Sequence, residues 1–518
     1  AAYNRTGMKF RTLCLLLLPV CELSAQQWVY FGPGHKLQYR TDAQGNRIMD
    51  FSSAGYKSGG VRLPAITAVK KLSPIPGDNT TQIQAAIDAV SRLAAGPDGF
   101  RGAVLLQPGE YDIAGTIHIN ASGLILRGGG SADDGTTIKL TGAPHRFLEV
   151  RGSGTWQMDN NPTPITDPYI PSGADSFHVQ DASRFHSGDP VLVQRPVTEQ
   201  WIHYMGMDTL VRDGKPQTWI RAGSSVRTDR AIKSIAGNRV TLDVPLTDSF
   251  DSKFLTPPGP TLVQYTFPGR ISQVGVESLR VVAPAQDVPI SGAQYSVLLM
   301  DAVIDGWARD IDVRETQNGL VIGAGAKRIT LDSVRIVHAL PHTGAAAPAD
   351  FSLSGTQIFL NRCSVVGEGT WPVVTQAMVT GPIVVLNFKA DHAGVSPHQR
   401  WATGLLVDSA KLENTTPRKQ GIAFSNRATA GSGHGWDVGW AVAWNVTSPY
   451  LLVQQPPGAM NWCIGCIGES VTAANLPSGI FDSPGTAVTP ASLYLEQLRE
   501  RLGDAALVNI GYGAKQAH

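Results

Sequence analysis

Short apolar runs with an alternating pattern recur along most of this chain, and that recurrence restricts the fold more than any single motif. They occupy 276–281, 308–313, 329–336, 358–365, 383–388, 404–411, 421–424, 441–446 and 463–469, with Gly, Asn or Asp between them. Successive runs lie roughly 20–30 residues apart, a unit too small to bury its own apolar face, so each must stack on the next as in a solenoid. A β-sandwich would need closer, more even spacing and hairpin turns, and few such turns are present. The pattern predicts an all-β parallel coil.

Charged residues make up only 16% of the 518 residues, against about 25% in ordinary soluble proteins. Together with 55 glycines, this is the balance of a turn-rich β protein. The net charge is +1, so no global field draws the chain to nucleic acid or to an anionic membrane. An acidic substrate would have to be held by a local cluster.

The flanks carry their own signals. Met8-Lys9-Phe10-Arg11, an apolar stretch over 13–20 and Leu23-Ser24-Ala25 read as an export signal, too short to span a bilayer. A secreted or periplasmic protein is expected, with no membrane role beyond export. Residues 1–25 are then leader, and 26–154 form an N-terminal cap and first coils, with a helix at 80–90. Residues 155–265 break the period and read as an inserted β subdomain. The main coils fill 266–478, and a capping tail at 479–518 contains a helix bounded by Pro490 and Gly503. That helix is expected to cover the last coil and its open strand edge.

Three cysteines remain after the leader. Cys463 and Cys466 form a CxxC without the second pair that structural zinc needs, so they read as small residues inside a coil or as a short-loop disulfide.

Chemistry gathers between residues 396 and 468. His398, Arg400 and Trp401 lie in SPHQRWATG, and Asn426, Arg427, His434 and Trp436 lie in NRATAGSGHGW. Strands one coil apart stack about 4.8 Å from each other. His398 to Arg427 and Arg400 to His434 are each close to one coil plus a loop, so both segments are expected to face one groove. Arg400 and Arg427 suit a carboxylate; His398 or His434 suits a proton acceptor. Trp401 and Trp436 suit stacking on sugars, with Asn426 and His392 as further substrate contacts.

Each of these has a plainer reading. His434 reads also as a Gly-flanked turn residue, His398 as a loop cap, and the two arginines as cross-coil ion pairs. Asn445 and Asn461 read as a turn ladder. Asp301, Asp305, Asp310 and Asp312 alternate with apolar residues as solvated strand and turn positions would.

The order of the 80–90 helix, VLLQPGEYDI at 104–113 and LILRGGG at 124–130 resembles the N-terminal cap and first coils of the pectate-lyase-like superfamily of right-handed parallel β-helices. The HQRWATG and GSGHGW pair resembles that of a secreted bacterial branch of it. The resemblance implies a right-handed single-stranded parallel β-helix that takes a polysaccharide as partner. The chain departs from the superfamily's known active sites. The Asn-x-Asp, Asp-Asp and Arg-x-Lys set of the polygalacturonase-type hydrolases is not found, and no calcium ligand set is visible, so no cofactor is expected. A polysaccharide lyase cleaving an acidic glycan by β-elimination is the first expectation. A glycoside hydrolase using Asp391, Asp408 or Asp437, or a glycan-binding β-helix without catalysis, remains open.

Overall fold

The computed structural model describes residues 27–289, 291–342, 348–472 and 476–513. The expected leader lies outside them. Strands take 43% of the chain and helices 9%, and the strands stack in parallel as a right-handed parallel β-helix. Each coil presents up to three faces. The first face runs from Gly102–Leu106 and Leu124–Gly128 through Thr356–Asn361, Thr380–Leu386 and Ala402–Asp408 to Trp462–Ile464 and Ile480–Asp482. The second includes Ser364–Val366, Lys389–Asp391 and Lys411–Glu413. The third includes Ser296–Asp301, Asn318–Ile322, Ala349–Leu353 and Trp371–Thr375, and continues through single bridges at Val395 to Ile422–Phe424.

Between the first and second faces the chain turns on one residue per coil. Asp310, Ser333, Arg362, Asn387, Ser409 and Asn445 all adopt a left-handed backbone with φ of 49–56°, a conformation that short polar side chains tolerate best. Asn445 belongs to this row, but Asn461 does not; its side chain receives the Ala441 amide at 3.0 Å. Of the acidic run around 301–312, Asp310 is exposed and Asp301 half-buried as expected, but Asp305 and Asp312 are buried. Asp305 pairs with Arg328 at 2.7 Å, and Asp312 pairs with Arg314 and Arg335, so charges on neighbouring coils cross-link them.

Aliphatic side chains from every face fill the coil interior, and the helix Thr80–Ser91 closes its N-terminal end with Ile83, Ala86, Ile87 and Val90. Cys363, Cys463 and Cys466 are buried there as free thiols. The first face is apolar on its outer side too: Phe359, Val384, Leu386, Leu406, Val442 and Trp444 form a second core. Burying such a face requires a covering layer. The C-terminal helix Leu493–Leu502 supplies part of it through Leu493, Leu495 and Leu498. It therefore lies along the first face rather than over the last coil as expected. Tyr494 stacks on Phe359 at 4.7 Å, and the buried Asp408 carboxylate accepts from Ser492 Oγ and the Tyr494 amide, both at 2.8 Å.

The remainder of that layer is the insertion, an antiparallel sheet ordered Gln157–Met158, Thr261–Thr266, Pro190–Pro196, Ser225–Ala236, Arg239–Leu242, Ser176–His178. It leaves the coil after the third-face strand Arg146–Arg151 and returns at the first-face strand Ile271–Val282. Two consecutive residues fasten it. Asp229 meets Lys327 at 2.7 Å, Arg270 at 3.2 Å and the Tyr265 hydroxyl at 2.8 Å. Burial alone would raise the Asp229 carboxyl, but Lys327 and Arg270 hold it well below the usual carboxylate range. Arg230, fully buried, donates to the carbonyls of Val244, Pro245 and Gly381 at 2.8–3.1 Å. Removing one partner of such a buried set strands the others, at a cost of about 3–5 kcal/mol. Asp229→Ala is therefore expected to lower the unfolding free energy from denaturant titration by that order, whereas Asp213→Ala, on an exposed turn, leaves it unchanged.

Candidate functional site

The corner between the third and first faces carries the polar cluster. Val395 ends the third face of one coil and Ala402–Asp408 begins the next first face, leaving 396–401 as a corner loop. One coil later, 425–437 turns the same corner. The loops are tied to each other, with the amides of Arg400 and Trp401 donating to the carbonyls of His434 and Trp436, both at 3.0 Å. Arg400 and Trp401 take φ of 53° and 65°, successive left-handed residues that only a tightly determined loop retains. The longer loop is drawn shut by Asp437, whose carboxylate accepts the Ser425 amide at 2.9 Å and the Ser425 hydroxyl at 3.0 Å. Gly431 has φ +59°, and a Cβ there would collide with the His434 ring.

These constraints bring His398 and His434 edge to face, with ring centroids 4.6 Å apart. The Gln376 side-chain oxygen lies 3.3 Å from His398 Nδ1, and Gln376 Nε2 is anchored on Ser352 Oγ at 2.9 Å. With its amide oriented by Ser352, Gln376 accepts from Nδ1–H and leaves His398 Nε2 as the basic nitrogen. His434 is 8% exposed, and its Nδ1 has no partner. Burial, then the Arg427 and Arg400 guanidiniums, push His398 down to about 4. Burial, then His398 and the same arginines, push His434 down to about 4. Both imidazoles are therefore neutral at pH 7.

Arg427 donates to the His398 carbonyl at 2.7 Å, and Arg400 to the Ser432 carbonyl at 2.9 Å and hydroxyl at 2.8 Å. Neither forms an ion pair with a carboxylate among the described residues. A third cation, Lys419, shares the Trp371 ring with Arg427, with Asp350 and Glu368 as its nearest carboxylate influences. Its ammonium lies 4.9 Å from the Trp371 ring centroid, and Arg427 lies 5.7 Å from the same ring. Neither Trp371 nor Lys419 is singled out by the sequence pattern. The signal was the third-face position of Trp371, two coils before Ile422–Phe424, which becomes visible only once the coil boundaries are assigned.

Other expected contacts fall elsewhere. Trp401 and Trp436 are each 2% exposed, so they do not present faces to a sugar. Trp401 donates to Asp248 at 2.8 Å and Trp436 to the Met205 carbonyl at 3.2 Å, both within the insertion. The covering layer over the first face takes them as core. His392, with φ 68°, sits at the corner before the third face, beside Asp391 at 3.1 Å and away from the His398 loop. Asn426 closes its own turn, accepting from the Ala428 amide at 2.8 Å. The carboxylates available for hydrolysis are occupied as well. Asp391 accepts from Asn414 at 2.7 Å, Asp408 caps the C-terminal helix, and Asp437 closes the His434 loop. Burial lifts Asp408 to about 6 and Asp437 well above the normal range.

The insertion walls the cluster on its other side. Arg212 donates to the Gly431 carbonyl at 2.7 Å, and Trp219 Nε1 to the Trp436 carbonyl at 3.0 Å. Behind this wall lies a cavity of about 240 Å³, lined by Arg195, Asp248, Trp201 and Trp401. Arg195 pairs with Asp248 at 3.4 Å and lies 4.2 Å over the Trp201 ring.

No protein-family profile matches this chain, and no curated protein matches it in sequence. Among solved structures, it is similar to a tailspike protein of Pseudomonas phage LKA1, at 13% identity and a TM-score of 0.42, over 75% of this chain and 56% of that one. It is also similar to an alginate lyase from Paenibacillus sp. str. FPU-7, at 9% identity and 0.37, over 80% of this chain and 100% of that one. A third is PfbA, a surface adhesin of Streptococcus pneumoniae, at 11% identity and 0.35, over 80% and 77%. The chain thus spans little more than half the length of that tailspike.

Two measurements check the site as built. Emptying the space of a buried tryptophan costs about 3–5 kcal/mol, so Trp401→Ala is expected to lower stability by that order in denaturant unfolding. In the unfolded chain histidines protonate near 6.5, but here only near 4. The unfolded state therefore binds more protons between those values, and stability falls as pH drops through that window. The double change His398→Gln with His434→Gln is expected to flatten that part of the stability–pH curve.

Proposed function

We propose that this chain is an exported carbohydrate-active protein that acts on an acidic, uronic-acid-containing polysaccharide by β-elimination. One observation carries the reading: two guanidiniums, Arg400 and Arg427, that form no ion pair among the described residues, beside two imidazoles that they help to keep neutral. Uncompensated positive charge around half-buried bases is costly unless an anion arrives to share it. A uronate carboxylate is such an anion. Its neutralisation by the arginines makes the C5 proton more acidic, and His398 Nε2 is the base for that proton. The C5–H electrons form the C4–C5 double bond, and the C4–O bond breaks with its pair leaving on the glycosidic oxygen. In the substrate complex, where the bound carboxylate offsets the arginines, a protonated His434 is the acid that returns a proton to that oxygen. An incoming carboxylate also offsets the arginines, which raises the basicity of both rings when the substrate is bound.

Hydrolysis has less support, because Asp391, Asp408 and Asp437 are each committed to a structural contact. The test is a panel of uronic-acid and neutral polysaccharides, read by ultraviolet absorbance of the unsaturated product and by reducing ends. Both signals are expected to rise on an acidic glycan, and His398→Ala is expected to lower the rate about 10²–10⁴-fold with little change in substrate binding. Reducing ends without absorbance would replace elimination by hydrolysis. Retention of glycan with neither signal would leave a binding protein.

A further inference from the structure

At the opposite end of the third face, three side chains converge that the proposed reaction does not use. Glu315 turns the corner after the strand Val303–Arg314 with φ 58°. One coil later, His338 follows the strand Lys327–Val337, and His342 lies four residues further on. Their ligand atoms all lie within 4.8 Å of one another. The rings meet edge to face, with centroids 5.3 Å apart. Backbone contacts hold them: His338 donates its amide to Val366 at 2.8 Å and His342 to Glu368 at 3.0 Å. Gly369 lies so close that a Cβ there would collide with the His342 carbonyl.

The hydrogen bonding of this corner is incomplete. His338 Nδ1, His342 Nε2 and Glu315 Oε2 are all buried without a partner. Buried polar atoms are rarely left so, because each costs the desolvation that a partner would have repaid. Three in one place, all with lone pairs to give, call for something that accepts lone pairs. The His338 side chain is fully buried and its other nitrogen, Nε2, lies 2.7 Å from Asp350 Oδ1. A carboxylate on Nε2–H leaves the Nδ1 lone pair free and raises its basicity, the arrangement that orients imidazole toward a metal ion. For His342, the Gln317 amide stands 3.4 Å from Nδ1, and Gln317 Oε1 is itself buried and unpartnered. The Gln317 nitrogen donates to the Gln286 carbonyl, so its 3.4 Å contact with Nδ1 is a long one, and an ion on His342 Nε2 would replace it by the tautomer protonated at Nδ1.

We propose that Glu315, His338 and His342 bind one divalent transition-metal ion of the zinc class, with Asp350 holding His338 in the coordinating tautomer. Two imidazoles and one carboxylate favour zinc or cobalt over calcium, which takes oxygen ligands alone. Three protein ligands leave a tetrahedral ion one further position for water or another donor.

The full chain, stripped with a chelator and dialysed, would be titrated with Zn²⁺ and separately with Co²⁺ as a spectroscopic probe. One equivalent is expected to bind, with visible Co²⁺ bands of a nitrogen- and oxygen-ligated ion, and Zn²⁺ raises the melting temperature of the wild type. His342→Ala and Glu315→Gln are expected to abolish the Co²⁺ bands, and Asp350→Asn to weaken affinity about 10–100-fold. His398→Ala, at the other corner, leaves binding unchanged. Absence of saturable binding by the folded wild type would overturn the proposal. So would binding that survives His342→Ala and Glu315→Gln but is lost in Cys463→Ser with Cys466→Ser, which would move the ion to the thiols. Should His338→Ala fail to fold, the His342 and Glu315 variants still decide the question.

Discussion

Asp229 and Arg230 hold the two halves of this protein in one arrangement. The first face of the coil is apolar inside and out, and only a docked layer can keep its outer side from water. Apolar contact alone would allow that layer to slide, because it is non-directional. The Asp229 contacts with Lys327 and Arg270, and the Arg230 hydrogen bond to Gly381, are directional and largely shielded from water. They set the position of the insertion, and hence of Arg212 and Trp219, which close over the loop that carries His434.

The parts of the fold legible in the sequence are those set by the repeat. Coil stacking imposes a fixed offset between neighbouring strands, so residues about one coil apart in number become neighbours in space. That is why His398 and His434 could be paired from spacing alone. The covering layer follows no repeat, and there the reading failed. Nothing local distinguishes a tryptophan packed beneath an inserted sheet from one lining a groove, so Trp401 and Trp436 looked like sugar platforms although Asp248 and Met205 bury them. The C-terminal helix was legible as a helix from its bounds at Pro490 and Gly503, but not its seat, because the apolar outer side of Phe359 and Leu386 shows only in three dimensions. His392 was misplaced for a related reason: six residues from His398 in sequence, it stands across a whole face of the coil.

The two chemically loaded corners treat their imidazoles in opposite ways. At the His398 corner the neighbours are guanidiniums, which disfavour a protonated ring, and Gln376 provides a neutral acceptor. At the His338 corner a buried carboxylate, Asp350, holds Nε2 and leaves Nδ1 without a partner. The first environment suits a base awaiting an anion, the second a ligand awaiting a cation.

Such placement follows from the architecture. Side chains on a parallel β-helix face are committed either to the interior or to cross-coil partners, as the pairings of Glu277 with Arg127 and Arg309 show. Corners escape that commitment, because a left-handed residue or a lengthened loop breaks the register for a few positions and lets side chains from successive coils converge. The expansion from the brief turn before Thr380–Leu386 to the closed loop over 425–437 is what turns a stacking corner into an enclosed one. Asp437 is the residue that permits the expansion. Its carboxylate closes the loop on Ser425 from a fully buried position, where burial keeps its pKa high. The enclosure of His434 therefore rests on a side chain that takes no part in the chemistry proposed for it.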